Sequence, residues 1–376
     1  MQCGMLRSML SLGLAALAGC GGGDDGNGAS TQGGPEASTG SPDSGGMASA
    51  DSSPASDGPI SPTDSGAMDG GSGIPGDSGL GPDGDAAAGP GPYGSNGPDT
   101  VTTATFQVTS PTDTFTTTAY IPGNTGPDPV VILSSGFQQT GAAYAPYANR
   151  LASWGIVTFL RDDPGALSSL TAANLASDVG YMAMTWLATA NSNATGALHG
   201  KVDTSKIGLA GHSRGGQVAL LAGEGGAKGL IQGVFGLDPV DTATNGVEAR
   251  TTLSTIGVPL AFIGETTDST GGVAGMPCAP AADNYLVLFQ AAGAPVVAIT
   301  AVNADHTMFE DPGSCTFCTL CTAGTASQPV VLATAVRYLT AFFARQLLGD
   351  SSVGATFAGA GAGQDVVAGI IQLQWK

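Results

Sequence analysis

The segment "IGLAGHSRGGQVALLAG" (207–223) contains Gly-x-Ser-x-Gly as Gly211, His212, Ser213, Arg214 and Gly215. In a chain with 60 glycines among 376 residues the five letters alone are weak evidence. Their chemistry is specific, however: a serine becomes a nucleophile only when a sharp turn exposes its hydroxyl and a histidine takes its proton. The chain has three histidines, His199, His212 and His306, and the order serine, acid, histidine leaves His306 as the candidate base. Two strand-like runs between them end in carboxylates. "LIQGVFGLDPVD" offers Asp238, with Asp241 behind it, and "VPLAFIGETTD" offers Glu265 and Asp268. Asp238 is favoured because it directly terminates an apolar strand and Pro239 stiffens its turn. Asp268 would then be plain surface charge.

An oxyanion hole needs two backbone N–H groups aimed at developing negative charge. Arg214, following the nucleophile, should supply one. The other should come from "GFQQTG" (136–141), with Phe137 as first choice and Gln138 as fallback. The side chain of Arg214 is expected only to cap surface polar groups.

The elements needed to position these groups can be read around them. "VTTATFQVTS" and "TFTTTAYIP" alternate as two exposed antiparallel strands, whereas "PVVILSS" (129–135) suits a strand buried on both faces. A helix is predicted over "AAYAPYANRLASWG", stopped by Gly155, followed by the strand "IVTFL" and a long crossover helix in "LTAANLASDVGYMAMTWLATANS". "IGLAG" then precedes the serine and "RGGQVALLAGEGG" follows it as a helix, so the motif sits between strand and helix. Alternating strands and helices from residue 100 to 376 predict an α/β domain with a mainly parallel central sheet flanked by helices.

Composition separates the rest. Residues 21–99 are Gly, Ser, Asp, Pro and Ala with almost no large apolar side chains, and they read as a disordered tether. The net charge is −19, but 12 of the 30 acidic residues and only Arg7 among the 11 basic ones lie in the first 100, leaving 18 acidic against 10 basic. A folded part near −8 with no basic cluster excludes the electrostatic footprint of a nucleic-acid binder.

The N-terminus has one basic residue, a short apolar run and small residues before Cys20, as an export signal does. "LAGC" (17–20) resembles the bacterial lipoprotein signal. That implies a signal peptide over 1–19, cleavage before Cys20, a lipid on its thiol as membrane anchor, and a place in the cell envelope, at the outer membrane. Four cysteines remain, Cys278, Cys315, Cys318 and Cys321. In an exported domain they suggest two disulfides with three possible pairings, against a zinc or iron–sulfur reading of "CTFCTLC". No metal or cofactor is expected.

The blocks "GHSRGG", "GLDPVD" and "MPCAPAADNYLVLFQAAGAPVVAITAVNADHTMFED" resemble the chlorophyllase family within the α/β-hydrolase fold, over roughly residues 129–312. The resemblance implies Ser213, Asp238 and His306 as triad and carboxylic ester hydrolysis as activity, and "PCAP" places Cys278 at a position similar to the family's. "SGFQQTGAAYAPYANRLASWGIVT" is also similar to cutinase-like polyester hydrolases and platelet-activating-factor acetylhydrolases. The long tether, the "CTFCTLC" loop and the tail after residue 350 depart from plant chlorophyllases. The reading is thus a serine esterase acting on a small or polymeric ester. Its rival is a surface-displayed binding module that kept the fold and lost catalysis.

Overall fold

The computed structural model describes residues 91–376 apart from 166–167, 226–228, 273–274, 294 and 312–320. The expected signal peptide, Cys20, the expected tether as far as residue 90, Cys315 and Cys318 lie outside the described residues.

Among the described residues nine strands form one sheet: β1 (Val101–Thr109), β2 (Thr114–Pro122), β3 (Asp128–Ser134), β4 (Val157–Arg161), β5 (Val202–His212), β6 (Ile231–Leu237), β7 (Leu260–Gly264), β8 (Val296–Ala301) and β9 (Ile371–Trp375). Their spatial order is β1-β2-β4-β3-β5-β6-β7-β8-β9. The six strands from β4 to β8 in that order run parallel, and β1, β2 and β9 extend the sheet antiparallel at its two edges.

Helices cover both faces: α1 (Ala145–Ser153), α2 (Ala172–Tyr181, running on through a π turn and Leu187–Ser192), α3 (Arg214–Glu224), α4 (Tyr285–Ala291) and α5 (Gln328–Phe343). The central strands alternate their side chains between the two layers. Val130, Ile132, Leu209, Val234 and Phe262 join the core beneath α2, α3 and α4. Val131, Leu133, Phe235, Leu237 and Ile263 join the core beneath α1 and α5. A strand buried on both faces must be apolar at every position, which is why β3 reads as a continuous run instead of an alternation. Each such side chain contributes about 1.5–3 kcal/mol on burial. The segment 328–348 is long and apolar enough to cross a membrane, but 72% of its most apolar window is buried inside the domain.

The N-terminal boundary differs from the sequence reading. The domain starts before residue 100: Tyr93 is buried against Trp154, its carbonyl accepts from Arg150, and the Asp99 N–H donates to the Ser153 carbonyl. At the other end, inside the expected domain, the tail after residue 350 supplies β9, whose "IQLQW" alternates apolar and polar residues and pairs with the open edge of β8.

Candidate active site

β5 ends at His212 and α3 begins at Arg214, so a single residue, Ser213, makes the turn between them. Its backbone has φ 53° and ψ −123°, a strained conformation for a residue with a side chain, costing about 1–3 kcal/mol. The surroundings enforce it. The Ser213 N–H donates to the Leu237 carbonyl and the Ser213 carbonyl accepts from the Val240 N–H, both at 3.1 Å. A Cβ at Gly211 would lie 2.0 Å from the Gly215 carbonyl oxygen, and one at Gly215 would lie 2.1 Å from the Ser134 oxygen. Only glycine fits either position. The turn leaves Ser213 partly exposed, and its hydroxyl makes no hydrogen bond among the described residues.

His306 follows β8 at the start of a 3-10 turn, His306–Phe309, capped by Asp305, whose carboxylate accepts from the Thr307 N–H at 3.0 Å. Its Nδ1–H donates to Asp238 Oδ2 at 2.6 Å. Asp238 stands just past the end of β6 with φ 37° and is wholly buried. The second Asp238 oxygen accepts from the Glu265 N–H at 3.2 Å. Burial pulls the pKa of His306 down, but the Asp238 bond and charge, with the carboxylates of Glu310 and Asp268, outweigh it and raise the ring above 6.5. The imidazole ring of His306 lies 4.6 Å, centroid to centroid, from that of His212, the residue before the nucleophile. His306 therefore packs against the residue that precedes the serine.

The competing acids have other work. Asp268 is buried, not surface charge, and it binds backbone: its oxygens accept from the N–H groups of His306 (2.8 Å) and Thr322. Asp241 accepts from the N–H groups of Ala249 and Arg250 and pairs with the Arg250 guanidinium at 3.0 Å. Glu265 lies within 4.8 Å of both Asp238 and His306 and is wholly buried, with its Oε2 accepting from the Asp268 N–H. Burial, then the charge of Asp238, pushes its carboxyl up to about 9, so it is protonated at neutral pH.

The loop after β3 passes beside the serine. A Cβ on Gly136 would come within 3.4 Å of Ser213 Cβ. The N–H of Gln138, the fallback donor, is bonded to Asp163 Oδ1 at 3.0 Å, while the Phe137 N–H has no partner among the described residues. The Arg214 N–H opens α3 and has no intrahelical acceptor. The Arg214 side chain is buried, not a surface cap: it pairs with Asp163 and its guanidinium lies 4.7 Å from the centroid of the Phe137 ring. Sequence reading missed Asp163, whose sole signal was its place in "RDDPG" just beyond β4.

Cys278 and Cys321 form a disulfide, with Cα atoms 5.5 Å apart. Bonded to each other, these two sulfurs are not thiolate ligands for the metal that "CTFCTLC" suggested.

A parallel sheet with antiparallel edges, a serine on a strained strand-to-helix turn, and an acid and a histidine beyond the following strands define an α/β hydrolase. The family model described as Chlorophyllase matches residues 94–356. The chain belongs to the chlorophyllase family, whose members are carboxylic ester hydrolases. Comparison with individual curated proteins gave no significant match.

Proposed function

We propose that this protein is a serine-type carboxylic ester hydrolase that works through an acyl-enzyme on Ser213. The observation that carries the reading is the 2.6 Å bond from His306 to Asp238 beside a serine held in a strained turn. His306 Nε2 takes the Ser213 hydroxyl proton as Oγ attacks the ester carbonyl. Asp238 holds the ring with its proton on Nδ1 and stabilises the imidazolium that forms. The N–H groups of Phe137 and Arg214 receive the oxyanion. Collapse of the tetrahedral intermediate expels the alkoxide, which takes the proton from His306 and leaves as alcohol. Water then gives a proton to His306 and its hydroxide attacks the acyl carbon; the same proton returns to Ser213 as the carboxylic acid departs.

The same reading places the enzyme at the cell envelope, exported and anchored by lipid on Cys20, with a small-molecule or polymeric ester as substrate and no nucleic-acid partner. A fluorophosphonate should label Ser213 stoichiometrically, and Ser213→Ala should lose both labelling and hydrolysis of short aryl esters. Undiminished hydrolysis by Ser213→Ala overturns the mechanism. Mass spectrometry of the mature protein should find a diacylglycerol-modified N-terminus at Cys20, and an unmodified terminus elsewhere overturns the anchor.

A further inference from the structure

Behind the proposed triad, three buried polar side chains that the mechanism does not use are bonded in a chain. The Gly136 N–H, in the oxyanion loop, donates to the Tyr144 hydroxyl oxygen at 3.1 Å. That hydroxyl lies 2.8 Å from His212 Nδ1. On its far side His212 Nε2 lies 3.0 Å from the carbonyl oxygen of His306. A carbonyl only accepts, so Nε2 carries a proton, and the single proton of the Tyr144 hydroxyl goes either to Nδ1 or to Glu310 Oε1. Glu310 Oε1 sits 3.2 Å from Nδ1 and 3.4 Å from the Tyr144 hydroxyl, and its Oε2 is buried without a partner. All three side chains are buried.

A nucleophile turn needs nothing polar at this depth. Apolar side chains would fill the space without the desolvation cost that a buried tyrosine, imidazole and carboxyl carry. What it joins is informative: one end holds the backbone of the oxyanion loop and the other holds the backbone of the proposed base, while the His212 ring stacks on the His306 ring. The Glu310 carboxylate also helps to hold the His306 imidazolium.

We propose that His212, bridged to Tyr144 and Glu310, is a positioning residue that keeps the general base and the oxyanion loop in register. The proposal rests on the triad reading given above. It predicts three kinds of behaviour. First, His212→Phe, which keeps a ring but no hydrogen bonds, lowers kcat about 10- to 100-fold with little change in KM, the signature of lost alignment instead of lost binding. His212→Gln, whose amide can still donate to the His306 carbonyl, recovers part of that loss. Second, Glu310→Gln removes a negative neighbour of His306 and moves the acidic limb of kcat/KM to lower pH. Third, in the intact wild-type enzyme, imidazole NMR should show His212 protonated on Nε2 and shielded from exchange, with its Nδ1 signal shifted by Tyr144→Phe. Three histidines make that spectrum assignable.

The NMR arm does not depend on any variant of His212 folding. Wild-type kcat and pH profile in folded His212→Phe and Glu310→Gln, or a His212 ring N–H that exchanges freely with solvent, overturns the proposal. Either result would leave fluorophosphonate labelling of Ser213 intact, so it differs from failure of the triad reading, which shows as hydrolysis surviving Ser213→Ala.

Discussion

His306 is bound to two aspartates in two ways: its ring donates to Asp238, and its backbone N–H donates to Asp268. The first bond sets the tautomer and charge of the base. The second sets where the base stands.

These roles predict different losses. Asp238→Asn offers the ring a neutral partner and should lower kcat about 10⁴-fold with little loss of fold. Asp268→Asn keeps one acceptor but turns an amide NH₂ towards a backbone N–H, and should cost about 1.5–3 kcal/mol of stability. Its kcat should fall far less than that of Asp238→Asn. Steady-state kinetics with thermal melts on both variants test this, and equal losses of kcat would remove the distinction.

The raised pKa of His306 places the acidic limb of kcat/KM above pH 6.5, because the base must be neutral to accept the serine proton. A pH–rate profile with its acidic midpoint below 6.5 would show that the carboxylates around the ring do not prevail over its burial.

Glu265 predicts a stability change of definite sign. Its carboxyl titrates at 4.5 in an unfolded chain and near 9 when folded, so the native state holds the extra proton between those values. Stability from this group is therefore complete below pH 4.5 and is lost as pH rises towards 9. Glu265→Gln mimics the neutral form and cannot lose it. The melting temperature of the variant should gain on that of the wild type progressively from pH 5 to pH 9, and a constant difference would refute the assignment.

Asp163 should matter to rate despite making no contact with the triad. It pins the Gln138 N–H and the Arg214 side chain on either side of the two proposed oxyanion donors. Asp163→Ala frees both, and kcat should fall about 10-fold or more, with fluorophosphonate labelling slowed in proportion.

The Cys278–Cys321 disulfide spans a sequence separation of 43 residues, for which the chain-entropy model gives on the order of 4 kcal/mol. Cys321 adjoins Thr322, whose N–H binds Asp268, so the bridge also steadies the base loop. Reduction, or Cys278→Ser, should lower the melting temperature and kcat together. An unchanged melt would mean that the bridge does not constrain the folded domain.

Some of this organisation was legible in the residue order because its causes are local. Apolar runs at 129–135, 207–211 and 231–237 announce strands buried on both faces, and glycines at 211 and 215 announce a turn that admits no Cβ. With only His306 downstream of the serine, the base needed no coordinates to be nominated. Tertiary structure decided what depends on distance across the sheet. The residue order favours Asp238 but leaves Asp268 as plain surface charge, and only the approach of the β8 loop gives one the imidazole and the other the backbone of His306. Arg214 and Asp163 are 51 residues apart, and His212 and Glu310 are 98 positions apart; neither pair has a spacing rule to betray it. Hydrophobic periodicity and turn chemistry are carried by neighbours in the chain, whereas burial, charge pairing and protonation are set by neighbours in space, which exist only once the sheet has assembled.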